Sequence, residues 1–372
     1  MKTVKHSGLV AMAIGMMALA GCGQALKSAC QYEPGQSERV RISQDKLYKI
    51  WVEMPGNPPT PTITRQEKFE IVLLREVESV EPDGSAIMKI TVESIDRTLN
   101  IESKQGDKSL RYLSTADKTQ SGGDWRGEPK LAGAAYKIRI TPKTLVTEII
   151  GLEELRAQLN LKEDAAGPVA AMLTEKEIKR LHERLFLQDS PAKIDLKKGY
   201  EKLVPIPDAT IKAKGVRKTY TISQTPSNDD QQRLVTMTST GQAAHTVPED
   251  FVAGPVPTNM FQKMIVETSE MDELIIKGQG VFDAAAGSVR SETNEVKCTL
   301  ILDGSSLTGQ FAPGKEGGSG GEMFTFTHFT DTFEVLPYSP RAGCRTRVDS
   351  QPIVRYDTIS DFGQCRNCRV RE

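Results

Sequence analysis

The sequence of 372 residues has almost no excess charge of either sign, with 48 Lys and Arg residues against 49 Asp and Glu residues. A protein that binds nucleic acid through its phosphates needs a basic surface, so this balance excludes nucleic acid as the expected partner. Hydrophobic residues make up 38% of the chain and charged residues 26%, which excludes a mostly disordered protein.

Histidine is scarce, and the sequence motifs of catalysis are incomplete. The four histidines include no pair with metal-binding spacing, so we predict no metal site and no cofactor. Residues 317–321 match the letters of a serine nucleophile elbow, but they lie in a glycine-rich loop instead of between a strand and a helix. In the P-loop-like residues 309–316, Glu316 replaces the hydroxyl residue that binds magnesium. We therefore predict that the protein is not an enzyme.

Long apolar runs are absent except at the N-terminus. There, Lys2 and Lys5 precede an uncharged apolar run from Gly8 to Ala20. This run is too short to span a bilayer comfortably and is typical of a signal peptide. We predict that residues 1–21 are a signal peptide that is removed on export.

The apolar run ends in Leu19, Ala20, Gly21 and Cys22, which resemble the lipobox of bacterial lipoprotein precursors. The resemblance implies cleavage before Cys22, diacylglycerol on its thiol and a further acyl chain, such as palmitate, on its amine. The protein would then be anchored in the cell envelope by lipid. Gly23 stands where an aspartate would imply retention in the inner membrane, so the outer membrane is favoured. The alternative is an ordinary secretory signal with a coincidental cysteine.

Five other cysteines would face the oxidising environment outside the cytoplasm, where disulfides form. Cys298 alternates with apolar residues, so we predict that it is buried in a core. The remaining four are candidates for two disulfides of unspecified pairing: Cys30, Cys344, Cys365 and Cys368. The last two form a CxxC motif, but it lacks the helix of a redox site and the second ligand pair of a zinc site. We therefore expect a disulfide-bonded tail.

Beyond the N-terminus, the pattern is mostly that of β-strands. Apolar residues alternate from Phe69 to Leu73 and from Ala86 to Val92 around a Pro-Asp-Gly turn, which predicts a long antiparallel hairpin. We predict an α+β fold that is mainly antiparallel β, with two long-hairpin bodies of half-barrel or barrel-like shape. The predicted segments are a lipidated tether at 22–40, β domains at 41–150 and 191–337, a helical insert at 151–190 and a tail at 338–372.

The pattern of the insert has the period of a helix. Leu152, Leu155 and Leu159 share one helical face. Thr174 and Glu177 have the spacing of a capping box, in which the hydroxyl caps the helix and the carboxylate reaches back. An apolar stripe from Ile178 to Leu185 follows. We predict that these helices pack against, or bridge, the two β bodies.

Three segments resemble an uncharacterised family of bacterial lipoproteins with duplicated β domains. They are residues 140–155, 191–200 and 280–289. None of them contains a catalytic motif, and the family has no established activity. The resemblance therefore implies the layout of two β halves and nothing about chemistry.

These observations favour a membrane-anchored extracytoplasmic lipoprotein that is non-catalytic and either binds a ligand or has a structural role. One alternative is a carrier of lipid or another hydrophobic ligand, because a curved sheet with helices over one face encloses an apolar cavity. Another is an envelope assembly factor that binds proteins through strand edges or the tail. The expected partners are the membrane, through the anchor, and a lipid or an envelope protein.

The mass of the exported protein gives the number of its disulfides. The sample is the body of residues 23–372, exported with Cys22 replaced so that no lipid is attached. Each bridge removes two hydrogens, so two bridges lower the mass by about four units. We expect that difference between the exported and the fully reduced protein in native mass spectrometry. Identical masses would contradict the disulfide-bonded tail and return attention to metal binding by its cysteines.

Overall fold

The computed structural model describes residues 25–27, 29–53, 60–115, 128–161, 167–195, 197–206, 212–225, 234–249, 251, 263, 267–303 and 322–337. The signal peptide, Cys22, the glycine-rich residues 309–321 and the whole tail lie outside the described residues, so the predictions made for them stay predictions. All of the elements below belong to one unit that ends at Pro337.

The elements follow the predicted order of strands, helices and strands. The first strands are β1 (Ala25–Lys27), β2 (Ser37–Glu53), β3 (Thr60–Val80), β4 (Ala86–Ser103), β5 (Lys108–Leu113), β6 (Ala135–Ile140) and β7 (Val146–Ile150). The helices are α1 (Leu152–Gln158), α2 (Pro168–Met172), α3 (Glu175–His182) and α4 (Leu185–Asp189). The later strands are β8 (Lys193–Asp195), β9 (Tyr200–Val204), β10 (Gly215–Thr225), β11 (Leu234–Ala244), β12 (Ser269–Asp283), β13 (Ser288–Asp303) and β14 (Glu322–Leu336). In the described part of the chain, no helix has the length and apolar character needed to cross a membrane.

One open antiparallel sheet contains strands from both halves of the chain. Its order is β7-β6-β4-β3-β2-β14-β13-β12-β11-β10-β9, and β5 pairs with a further stretch of β4. The two halves meet where β2 pairs with β14, from Arg39 opposite Leu336 to Glu53 opposite Glu322. The predicted fold class, mainly antiparallel β with a few helices, is therefore confirmed, and the two β bodies are continuous with each other.

The predicted hairpin is formed by β3 and β4. Gly84 has the positive φ of 85° that its turn requires, and the carboxylate of Asp83 accepts hydrogen bonds from the backbone and hydroxyl of Ser85. Alternate side chains of both strands, such as Leu73 and Ile90, are completely buried. The alternation in the sequence thus marks the face that the helices cover.

The third helix, α3, begins at the predicted cap, but the capping box and the apolar stripe predicted there form only in part. The hydroxyl of Thr174 accepts from the backbone N–H of Glu177 at 3.3 Å, but the carboxylate of Glu177 bonds to Arg180 instead of reaching back. The predicted apolar stripe is wrong at Leu185, which is 44% exposed. Because α3 stops at His182 and α4 begins three residues later, the helical period is interrupted before Leu185.

The insert bridges the two halves of the sheet, as predicted. His182 lies 2.8 Å from the hydroxyl of Tyr136 in β6, and Phe186 packs on Gly280 in β12. These strands are six steps apart in the sheet, about 29 Å if it were flat. The two insert residues are only four positions apart along the chain, at most about 14 Å. The insert therefore contacts strands of both halves at once, in agreement with the coiling expected of a large twisted sheet.

Two predictions about cysteine fall on described residues. Cys298 is buried in a core cluster with Val296 and Leu300, as predicted. Cys30 is also buried and carries a free thiol. The other candidates for its disulfide lie outside the described residues, so that pairing stays a prediction.

Part of the predicted tether, residues 22–40, packs against the folded body. Its strand β1 pairs with β8, and the backbone N–H of Cys30 donates to the carbonyl of Pro142 at 2.7 Å. The N–H of Gln31 donates to the carbonyl of Gly287, also at 2.7 Å. These contacts fix the chain against β8, the β6–β7 turn and the β12–β13 turn.

Gly280 allows the insert to approach the sheet, because a Cβ there would lie 2.7 Å from the ring of Phe186. We expect Gly280→Ala to lower the free energy of unfolding by about 1–3 kcal/mol, the usual effect of overpacking, in urea titrations. The control is Gly280→Ala combined with Phe186→Leu, in which a smaller side chain relieves the overlap. That double variant should lose less than the sum of the single losses. Additive losses would contradict the proposed conflict.

Candidate functional site

A cleft of about 350 Å³ lies between the helical insert and strands β2, β13 and β14; we call it the insert cleft. Its volume is at the lower end of the range typical of small-molecule sites, roughly 300–1,000 Å³. Ile42 and Phe333 contribute apolar wall from the sheet. The charged residues of the cleft are Lys176, Lys179, Arg180, Glu183 and Arg184 from the insert and Glu292 and Asp331 from the sheet.

Arg184 is a buried cation in the wall of the insert cleft. Its Nε donates to the carbonyl of His182 at 3.4 Å, and its Nη2 donates to the carbonyl of Leu181. Its guanidinium lies 4.3 Å above the ring of Phe333. Burial lowers the pKa of Arg184 to about 10, although Glu292 opposes that shift. Arg184 therefore stays charged at neutral pH, and no described carboxylate forms an ion pair with it.

Glu292 is a buried acid in the opposite wall. Its Oε1 accepts from the side-chain amide of Asn294 at 2.8 Å and from the backbone N–H of Phe186 at 3.3 Å. Its Oε2 is buried and has no hydrogen-bond partner among the described residues. Burial raises the pKa of this carboxyl, with Arg184 acting against the shift. An unfilled buried acceptor of this kind costs about 1–3 kcal/mol, which a donor from a ligand would relieve.

One end of the cleft is closed by an ion-pair network. Arg180 donates to Asp331 on β14 at 3.0 Å and to Glu177 within α3 at 2.6 Å. Although burial opposes it, Arg180 holds the pKa of Glu177 below its ordinary value. The network ties α3 to the strand that joins the two halves of the sheet.

The histidines do not converge. His182 is buried beside Tyr136, and its Nδ1 has no partner among the residues described here. His328 lies 3.1 Å from Glu295 on the other face of the sheet, and His245 is exposed in a loop. Within the described ranges, no cluster of three His, Cys, Asp or Glu residues is arranged to hold a metal ion.

Sequence reasoning did not find Arg184 or Glu292 as site residues. The predicted site residues were cysteines and the lipobox, and of these only Cys30 lies in the described chain. Arg184 stands inside what looks like an apolar helical stripe, and Glu292 stands in a polar stretch of a strand. They face one cleft only because the insert crosses the sheet, which no local pattern reveals.

Comparison with known protein families found no match, and comparison with curated proteins found none either. Among solved structures, the chain is similar to lipovitellin, with 8% identity and a TM-score of 0.41 over 84% of this chain and 27% of that chain. The chain thus spans about a quarter of the length of lipovitellin. An outer membrane channel from Pseudomonas putida F1 gives 8% identity and a TM-score of 0.19 over 83% and 98% of the two chains. OccK7 from Pseudomonas aeruginosa has 6% sequence identity and a TM-score of 0.19, and the match covers 81% of this chain and 99% of OccK7. None of these similarities is close enough to carry an argument.

The buried His182 should make stability depend on pH. Burial, together with Arg75 and Arg184, holds its pKa well below 6.5, so the unfolded chain binds a proton that the folded chain rejects. Its contribution to stability is complete above pH 6.5 and declines as the pH falls below that value, by up to about 1.4 kcal/mol per unit. Urea unfolding at pH 7.5 and 5.0 should show a smaller loss for His182→Gln than for the wild type.

The matched control is His328→Gln, which changes a partly exposed histidine on the opposite face of the sheet. It retains the buried His182, so it should lose more stability between the two pH values than His182→Gln does. An equal loss of stability for the wild type and His182→Gln between the two pH values would contradict the assignment.

Proposed function

We propose that the protein is a lipoprotein of the bacterial envelope, anchored through Cys22, that binds a small amphiphilic ligand in the insert cleft. The observation that carries this proposal is the pair of buried charged groups in its walls, which attract each other without forming an ion pair. Glu292 presents an acceptor without a donor, and Arg184 presents a guanidinium without a carboxylate partner among the described residues. Perturbed titratable groups that converge on one concave site are the usual mark of a binding site.

The two charges define the chemistry of the ligand. A cationic or hydrogen-bond-donating group would satisfy Glu292, and an anionic group would pair with Arg184. Lys176 is exposed on α3 and adds positive charge at the cleft. Leu185 is exposed and lines the same cleft, where it offers an apolar contact for an alkyl chain. A zwitterionic head joined to an acyl chain, such as a phosphoethanolamine lipid, has this combination of groups.

The size of the cleft favours a small ligand over the whole lipid that an enclosing lipid carrier would hold. The insert already covers the part of the sheet beside the cleft, with Ile178, Leu181 and Phe186 buried in the core. A whole two-chain lipid would therefore enter only if the insert moved away, whereas a head group fits the cleft that exists. The assembly-factor alternative depends mainly on residues 338–372, outside the described chain, and it stays a prediction, as does the absence of catalysis.

The test is titration of the mature body with lysophosphatidylethanolamine below its critical micelle concentration, followed by calorimetry. The matched comparison is lysophosphatidylglycerol, which has the phosphate without the amine. We expect the wild type to prefer the ethanolamine head. Glu292→Gln should weaken binding of that head by about 10–100-fold, because a hydrogen bond to a charged group contributes about 1.5–3 kcal/mol.

Glu295→Gln is the control variant, because Glu295 lies on the same strand but on the opposite face of the sheet and pairs with Lys297 and His328. It should leave both affinities unchanged. Failure of the wild type to bind either lipid, or equal binding by wild type and Glu292→Gln, would overturn the proposed function.

A further inference from the structure

A second, smaller cavity of about 30 Å³ lies behind the insert cleft; we call it the arginine chamber. Its charged lining residues are Arg75, Arg184 and Glu38. Arg184 and Phe333 line both this chamber and the cleft, so they form the wall between the two cavities. Nothing in the proposed function requires the chamber.

Arg75 supplies the second guanidinium, from β3. Its side chain is only 6% exposed, and its Nη1 forms an ion pair with Glu38 at 3.3 Å. Its Nη2 faces the sulfur of Met88 at 3.5 Å. Its Nε is buried and has no hydrogen-bond partner in the part of the chain that the structure describes. One donor of a buried cation is therefore unsatisfied.

The charges that line the chamber do not balance. Two guanidiniums and one carboxylate line it, and Glu292, which attracts Arg184 from the cleft side, does not line the chamber. Cys30 also lines the chamber, but burial raises the pKa of its thiol to about 11, so it stays neutral. The hydroxyls of Tyr32 and Thr144 add no charge. The groups that line the chamber are therefore net positive, and this favours an anion there.

We propose that the arginine chamber binds one small monovalent anion, such as chloride, between Arg75 and Arg184. One negative charge balances the lining, and the unfilled Nε of Arg75 gains an acceptor. The volume suits an ion of about the size of water, whose share of liquid volume is about 30 Å³, and it excludes bulky organic anions. Gln31 lines the chamber and is exposed, so the ion has a short route from solvent.

The test compares thermal unfolding of the mature body in sodium chloride and in sodium gluconate at equal ionic strength. An ion that binds only the folded state stabilises it in proportion to the logarithm of its concentration. We expect a rise of a few degrees in Tm with chloride and none with gluconate. Arg75→Met should lose that difference. Arg97→Met, which changes a strand arginine paired with Glu67, should keep it.

A second measurement needs no variant and decides the question if Arg75→Met does not fold. Crystals of the wild type grown in sodium bromide should show an anomalous peak between the guanidiniums of Arg75 and Arg184. Equal Tm values in the two salts, together with no peak in the chamber, would overturn the proposal and leave water as the occupant.

Discussion

The pairing of β2 with β14 is the interaction on which the rest of the structure depends. It joins segments that are 287 positions apart where Gln44 bonds to Asp331, so the chain must close a very long loop. Fifteen consecutive residue pairs along β14 offset that entropy. Because the halves are joined there, their inner faces form one curved surface. The insert lies across the join, and the insert cleft is the space left between them.

The buried charges between the insert and the sheet are energetically unfavourable. Arg75, Arg184 and Glu292 lie where apolar side chains would pack without desolvation, and replacing buried charges with apolar groups is often neutral or stabilising. Each also leaves a polar group unsatisfied or a charge uncompensated, at a cost of about 1–3 kcal/mol per unsatisfied group. Proteins break the rules of core composition mainly at functional sites. The buried charges are therefore stronger evidence for a functional site here than the volume of the cleft is.

The features that the sequence predicts are those whose signals are local. The hairpin from Phe69 to Val92 and the cap at Thr174 depend on residues that are close along the chain, so alternation and spacing reveal them. At Leu185, the prediction from local spacing is wrong. Its position fits a helical stripe, but Arg184 turns its guanidinium back onto the carbonyls at the end of α3. The helix ends at its C-cap Glu183, where the backbone becomes extended, and Arg184 lines the site only because the distant β13 and β14 supply its other wall.

Arg184 also places the two cavities in one electrostatic environment. An anion in the arginine chamber would cancel part of the positive charge that the guanidinium presents to the cleft. It would therefore weaken the attraction for an anionic group bound there, and the effect must be reciprocal, because coupling between two sites acts equally in both directions. The low dielectric of the interface strengthens this coupling. A single side chain in the wall is thus sufficient to link salt concentration to ligand affinity without any movement of the sheet.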